Sequence, residues 1–309
     1  MPNMKNVWVA LGTSLFVLLS LGYTYLVIAA PERSLPLIHT QGSIVANEQQ
    51  RWIFVGDVHG MFEEFAKLMA KVNAKDENTH VVLLGDFTSK GPQSRAVVDY
   101  MREHQDSTHC ILGNHEVNVM FAYLNHVGLE QRLSSGHARW RPLEFSSESY
   151  IPPRGQVNRM HRDVARELGE ERLDWVAKHC PAELAIEFGP QTLVAVHAGL
   201  DPDLSREDVP KVKDITTMKY MLPEDHSKTS KFKFKHSRRW YKFWDGQHAP
   251  RNTTVFYGHD SSNGLTLRKR TKGLDSACVS GGQLSALEVV YRDGKYQEFL
   301  HQVECREMR

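Results

Sequence analysis

The chain has 309 residues, a net charge of +1 with histidine neutral, and four cysteines. That length exceeds the usual single domain, but an apolar N-terminal extension takes up much of the excess and leaves one large α/β core. A nearly balanced charge excludes any partner chosen by bulk electrostatics. The lack of a CxxC pair excludes a zinc ribbon or a redox dithiol, so Cys110, Cys180, Cys278 and Cys305 read as buried free thiols.

Residues 1–6 read as a short tail. From Val7 to Ala30 no charged residue occurs, and this run is longer than the ~20 residues that cross a bilayer core. A membrane-spanning helix is expected over residues 7–30 in preference to a cleaved signal peptide, whose apolar region usually covers only ~7–15 residues. Ala29 and Ala30 would nevertheless make a tolerable cleavage site. Lys5 and the α-amino group precede the span, whereas Glu32 and Arg33 after it cancel. The tail is therefore expected in the cytoplasm and the rest of the chain in a lumen or outside. Residues 31–50 mix Pro, Ser, Gln, Asn and Gly without periodicity and read as a linker.

The folded region, residues 51–309, is expected to begin at Arg51. Five short β-type runs follow in it, Trp52 to Val55, Val81 to Leu84, Thr108 to Leu112, Thr192 to Val196 and Thr254 to Tyr257. A polar cluster stands directly after each: Gly56-Asp57-Val58-His59-Gly60, Gly85-Asp86-Phe87, Gly113-Asn114-His115-Glu116, His197-Ala198-Gly199 and Gly258-His259-Asp260. In open α/β sheets the carboxyl ends of the strands are where ligands bind. Helical spacing joins Phe62, Phe65, Leu68, Met69 and Val72, then Ala96, Val97, Tyr100 and Met101, then Val117, Met120, Phe121 and Leu124. The order predicts β-α-β-α-β and a parallel sheet. Residues 128–183 change to polar helical segments broken by Pro142, Pro152 and Pro153, an insert expected to cap the site. Ala286 to Val290 and Tyr296 to Leu300, around Arg292-Asp293-Gly294-Lys295, predict a β-hairpin. Asn252-Thr253-Thr254 is one N-glycosylation acceptor.

Asp57 and His59, two apart after a strand, can turn a carboxylate oxygen and an imidazole nitrogen toward one point. That donor pair suits Zn, Mn or Fe better than Mg or Ca. Any single pair is weak, since a Gly-Asp is a common turn and a lone histidine is more often a satisfied polar residue. Taken together, the order DxH, GD, GNHE, HAG, GH resembles the calcineurin-like metallophosphoesterases, in particular the branch with the phosphoprotein phosphatases and symmetrical diadenosine tetraphosphatases. The resemblance implies a four-layer α/β/β/α sandwich, here behind an N-terminal transmembrane helix, and two divalent metal ions, Zn, Mn, Co or Fe. It implies Asp57 and His59 on the first ion, Asp86 bridging both, and Asn114, His197 and His259 on the second. A hydroxide held between the ions would attack phosphorus in line, and His115 would protonate the leaving oxygen.

Where the phosphoprotein phosphatases read GDxVDRG, this chain has Ser89 in place of the acid that orients the histidine and Lys90 in place of the arginine. Lysine offers phosphate a charge but no planar fork. A neutral Ser89 cannot stabilise a protonated His115, so either another acid does so or the leaving group needs less help. A phosphoanhydride, whose leaving group is a phosphate, needs less. Two basic runs, Lys228 to Lys242 with interleaved aromatics and Arg268 to Lys272, flank the last motif and make Arg238, Arg239 and Arg268 candidate phosphate contacts beside Lys90. A phosphate polymer would gain affinity from such a track by counterion release, and nucleic acid is less favoured in a lumenal domain. The stretches Tyr257-Gly258-His259-Asp260 and Gly273 to Leu287, with the anchor, are most similar to the fungal vacuolar endopolyphosphatases, and Gly273 to Leu287 also resembles the diadenosine tetraphosphatases. The first similarity implies cleavage of inorganic polyphosphate in the vacuole. The alternatives are a serine/threonine or tyrosine protein phosphatase and a diadenosine-tetraphosphatase-like hydrolase. No oligomeric state is legible.

Overall fold

The computed structural model describes residues 38–123, 152, 155–205, 208–246 and 249–308. The expected membrane span over residues 7–30, with its tail, and residues 128–151 of the expected insert lie outside the described residues. The elements in chain order are β1 (Gln41–Ala46), β2 (Arg51–Val55), α1 (Phe62–Lys71), β3 (Thr79–Leu83), α2 (Ser94–Glu103), β4 (Thr108–Cys110), α3 (Asn114–Tyr123), α4 (Arg159–His179), β5 (Glu183–Phe188) and β6 (Gln191–Val196). There follow α5 (Val212–Thr217), β7 (Tyr220–Leu222), β8 (Asp225–Ser230), β9 (Arg238–Arg239), a 3-10 turn at Trp240–Asp245, β10 (Thr253–Tyr257), β11 (Thr266–Leu267), β12 (Thr271–Gly273), β13 (Gln283–Arg292) and β14 (Lys295–Glu304).

Two sheets form the centre. One runs β14-β13-β2-β3-β4, with β2, β3 and β4 parallel, and the other β1-β5-β6-β10-β12-β11, with β6, β10 and β12 parallel. Strand β2 shows why they stack. Trp52 and Phe54 point to one face and Ile53 and Val55 to the other, all four fully buried. Trp52, Phe54, Val82 and Leu84 meet Leu184, Ile186, Leu193 and Phe256 between the sheets, where the Phe54 and Phe256 rings stack at 3.7 Å. The opposite face of the first sheet, through Ile53, Val55, Val81 and Leu83, packs on Phe65 and Leu68 of α1 and Val97 of α2. Val194, Val196 and Val255 likewise turn outward from the second sheet, into the cluster that holds Val212 and Ile215 of α5 and Trp240 of the 3-10 turn. The result is helix, sheet, sheet, helix. The expected hairpin closes at Arg292↔Lys295, with Asp293 and Gly294 both left-handed at φ 52° and 74°, the geometry of a two-residue hairpin turn.

Two expectations need correction, the linker and the free cysteines, and two other stretches gain detail. Gln41–Ala46 is not linker but strand β1, parallel to β5 from Gln41↔Glu183 to Ala46↔Phe188. Its residues alternate exposed and half-buried at a sheet edge, so the hydrophobic signal there is weak. The described part of the insert is largely one helix, α4, with a break at Gly169 (φ 67°); it packs on α2 and α3 and ties to α2 through a two-pronged Arg172 to Asp99 ion pair at 2.7 and 3.0 Å. In the basic stretch from Lys228, β8-β7-β9 form a small antiparallel sheet and Trp240, Tyr241 and Trp244 are buried. Finally, the cysteines are not free: Cys110 bonds Cys180 and Cys278 bonds Cys305, with Cα atoms 4.8 and 5.2 Å apart. Cys110 ends β4 and Cys180 follows α4, so only the docking of that helix brings them together. Replacing both Cys110 and Cys180 by alanine is expected to remove about 2–4 kcal/mol of unfolding free energy, the range for closing a long loop. Urea denaturation would read this as a lower midpoint, and an unchanged midpoint would show the bridge to be energetically idle.

Candidate metal centre

Every polar cluster lies where a strand ends. Asp57 and His59 follow β2, Asp86 follows β3, Asn114 and His115 open α3, His197 follows β6 and His259 follows β10. The glycines of the motifs are there for space. A Cβ on Gly258 would stand 2.0 Å from Asp57 Oδ1, and one on Gly113 would stand 2.3 Å from both the nitrogen and Oδ1 of Asp86. The residues beside them bear the backbone strain instead, His59, Asp86 and His259 being left-handed at φ 47°, 46° and 66°. Non-glycine residues seldom adopt that region, and such outliers concentrate at functional sites.

Asp86 is the hub. Its Oδ2 lies 3.3 Å from His197 Nε2, 3.7 Å from His59 Nε2 and 4.0 Å from His115 Nε2, and its Oδ1 accepts the His115 amide at 2.9 Å. Asp57 Oδ2 is 3.8 Å from His59 Nε2, and the Asp57 carboxylate accepts the His259 amide at 3.1 and 3.3 Å. Asn114 Oδ1 is 3.3 Å from His197 Nε2. Three of the rings are held from behind by carbonyls, His59 Nδ1 by Thr88 at 3.1 Å, His197 Nδ1 by Leu84 at 2.8 Å and His259 Nε2 by Thr217 at 3.1 Å. A carbonyl can only accept, so each of those nitrogens carries the proton and the other can offer a lone pair. Two trios result, His59 with Asp86 and His115, and Asp86 with His197 and His259, each with ligand atoms within 4.8 Å of one another and sharing Asp86. Imidazole and carboxylate donors oriented in this way fit divalent transition ions. His115, expected as an acid, therefore stands within ligand distance as well, while Asp57 and Asn114 flank the trios.

Burial pushes the His59 ring down to about 3 and the His115 ring to about 4, and also holds His259 well below its usual value. Burial would lower His197 too, but the Asp86 carboxylate carries it up to about 10. Asp86 answers in kind: burial alone would raise it, and above all the charge of His197 holds it well below the carboxylate range. Asp57 is raised, by burial and then by the negative charge of Asp275.

Sequence reasoning missed several members of the site. Glu116, quoted in the motif without a role, is buried and takes N–H bonds from Asp86 at 2.7 Å, Thr88 at 2.9 Å and Gly113 at 3.0 Å, with the Thr88 hydroxyl at 2.7 Å. It splints the loops that carry the hub. Asp275 is buried beside Asp57 on the loop after β12. Ser89 is fully buried, and its hydroxyl has no partner among the described residues. It is His161 Nε2, from α4, that meets His115 Nδ1, at 3.1 Å.

The centre opens into a cleft of about 570 Å³ lined in part by Lys90, Lys219, Lys231, Lys233 and Arg239. Lys90 Nζ reaches His59 Nε2 at 2.7 Å. Lys219 Nζ lies 3.0 Å from Asp260 Oδ1, and Arg239 pairs with the same carboxylate. Arg238 and Arg268, expected in the track, are elsewhere. Successive strand residues point to opposite faces, so with Arg239 facing the cleft Arg238 is exposed outside it, and Arg268 is held by Asp245 over the Tyr241 ring.

The profile of the calcineurin-like phosphoesterases matches residues 51–296. The chain belongs to the calcineurin-like phosphoesterase family. It is 39% identical over 299 residues to a zinc-dependent endopolyphosphatase of Saccharomyces cerevisiae, covering 90% of this chain and 89% of the relative. A symmetrical bis(5'-nucleosyl)-tetraphosphatase of Neisseria meningitidis is 23% identical over 76% of this chain and 91% of its own. Among solved structures, one assigned as a diadenosine tetraphosphatase shares the fold with a TM-score of 0.61 at 23% identity, covering 85% of this chain and 98% of that one. A serine/threonine phosphatase from Saccharomyces cerevisiae follows at a TM-score of 0.52 and 14% identity, over 89% and 86%. As a member of this calcineurin-like family the chain is a metal-dependent phosphohydrolase.

Two outcomes follow for the donor set. Gly258→Ala should weaken zinc binding by about 10–100-fold, as loss of ligand orientation does, with the melting temperature of the metal-free protein little changed; equal zinc affinity would mean Asp57 is no ligand. Because the Asp86 and His197 pair holds a proton up to about pH 10, a metal must displace it. Apparent affinity should then fall about tenfold for each unit the pH drops, and zinc titrations at pH 6, 7 and 8 would show this together with proton release.

Proposed function

We propose that this chain hydrolyses the phosphoanhydride bonds of inorganic polyphosphate, with two divalent ions, Zn, Mn, Co or Fe, held by Asp57, His59, Asp86, Asn114, His197 and His259. The observation that carries the substrate reading is the surrounding of His115, whose Nδ1 meets an imidazole rather than a carboxylate. The similarity to a protein named zinc-dependent endopolyphosphatase supports the same reading and favours zinc. Bound there, the ions would activate water and neutralise phosphoryl oxygens, the usual contribution of a two-metal site. The chain's own residues do the rest. Asp86 and the backed histidines hold the donor atoms in place, Lys90 and Arg239 bring positive charge to the inner cleft, and exposed Lys231 and Lys233 extend it along a polymer. His115 Nε2 donates toward the leaving oxygen.

Placement in a lumen, anchored through residues 7–30 with the tail in the cytoplasm, is part of the proposal, and the vacuole enters by resemblance. Two disulfides suit an oxidising compartment, and the Asn252 acceptor suits the same side. The test is chain-length change and phosphate release from long-chain polyphosphate, beside diadenosine tetraphosphate and a phosphoserine peptide, after metal removal and resupply. Metal-dependent shortening into mid-sized pieces is expected; turnover of the peptide with intact polyphosphate would make the chain a protein phosphatase. Asp86→Asn should abolish turnover of every substrate. His115→Asn should slow the phosphomonoester more than polyphosphate, and equal losses would separate leaving-group donation from substrate choice.

A further inference from the structure

α4 opens on a capping box with Asn158 as N-cap and His161 three residues on. Asn158 Oδ1 accepts the His161 amide at 3.2 Å, and the Asn158 amide donates to His161 Nδ1 at 3.2 Å. A backbone amide can only donate, so Nδ1 of the neutral ring bears a lone pair and the proton resides on Nε2. That Nε2 lies 3.1 Å from His115 Nδ1. A hydrogen bond there needs one proton, His161 supplies it, and His115 Nδ1 accepts. The proton of His115 is left on Nε2, the atom on the side of Asp86 and the cleft.

We propose that His161 is a positioning residue that holds His115 neutral and protonated on Nε2, which makes that ring a hydrogen-bond donor to the leaving oxygen rather than an imidazolium acid. The inference rests on the reading of His115 as the group that meets the leaving oxygen. A carboxylate at Nδ1 would do the reverse, accepting Nδ1–H and stabilising the charged ring. In the anhydride step, water oxygen forms a bond to phosphorus and its proton passes to solvent. The phosphorus bond to the bridging oxygen breaks, and the leaving phosphate takes the electron pair. A phosphate is a stable oxyanion that a hydrogen bond suffices to assist, whereas an alkoxide requires the proton itself. The capping box at the start of α4 thus selects anhydrides over alkyl esters.

The test uses the full zinc-loaded chain and three variants, His161→Gln, His161→Glu and His161→Leu, on long-chain polyphosphate and a phosphoserine peptide. Gln keeps a donor, and its polyphosphate kcat should remain within about threefold of the parent. Leu should lower kcat about 10–100-fold with KM little changed, the usual loss when an orienting partner is removed. Glu should raise the peptide's kcat/KM relative to that of polyphosphate by about tenfold or more, within the span of acid catalysis. Equal effects of all three on both substrates would reduce His161 to packing and overturn the proposal. Independently of turnover, 15N NMR of the imidazoles, with His115 assigned by its loss in His115→Asn, should find its proton on Nε2. A proton on Nδ1 overturns the inference. A parent protein inert toward polyphosphate refutes the proposed substrate alone, and the NMR result then decides the tautomer.

Discussion

Asp86 is 3% exposed, and Asp57, Glu116 and Asp275 are buried around it. Removing a carboxylate from water costs several kcal/mol even after relaxation, so four together demand compensation, and it takes three forms. Glu116 is answered by four hydrogen-bond donors. Asp57 is answered by the His259 amide and Asp275 by the Ala277 amide at 3.1 Å. Asp86 alone faces three imidazole nitrogens, and two of those rings, His59 and His115, are held neutral by burial. A neutral lone pair such as that on His59 Nε2 is a poor answer to a carboxylate's charge and a good one to a cation shared between them.

Holding that arrangement requires backbone that does not relax. His59, Asp86, Ser89, Lys90 and His259 all have positive φ, and in a short peptide each would revert, since left-handed geometry costs a non-glycine residue about 1–3 kcal/mol. The restraint comes from the sheets. β2 and β3 are paired over Arg51↔Thr79 to Val55↔Leu83, β10 is locked between β6 and β12, and ring stacking such as Phe54 on Phe256 binds the two sheets to each other. The loops then have little freedom over where their first polar residue points. Glu116 adds cross-links between them, and one carboxylate joins the ends of β3 and β4 through the amides of Asp86, Thr88 and Gly113.

How much of this was legible follows from the range of the interactions. Strands buried on both faces, such as Trp52 to Val55, announce themselves as apolar runs, and polar clusters at their ends mark the centre before any contact is known. Strand β1 escapes notice because an edge strand buries little and its residues alternate toward solvent. The cysteine pairs could not be read because Cys110 and Cys180 are separated by 70 residues and meet only when α4 docks. Arg238 and Arg239 look equivalent in a charge run, and only the pleat of β9 turns one into the cleft and the other out. His161 carries a local signal, since Asn-x-x-His can cap a helix, but nothing local names His115 as the partner of its other nitrogen.

The departures at Ser89, Lys90 and His161 form one pattern. A buried serine whose hydroxyl meets no partner among the described residues gives His115 no negative charge, and the ring that does meet it is itself held neutral. Lys90 lies 2.7 Å from His59, so the cation nearest the centre is a compact point charge rather than a fork that would grip one phosphate through two parallel bonds. Farther out, Arg239 and Lys219 share Asp260, which fixes them in place while it halves their net charge. On the proposed reading of His115 and His161, a site that lends a hydrogen bond rather than a proton, and a point charge rather than a fork, would be poorly built for an isolated alkyl phosphomonoester. On that reading it would be better matched to a chain in which the leaving group is already a stable anion and the neighbouring phosphates supply the grip.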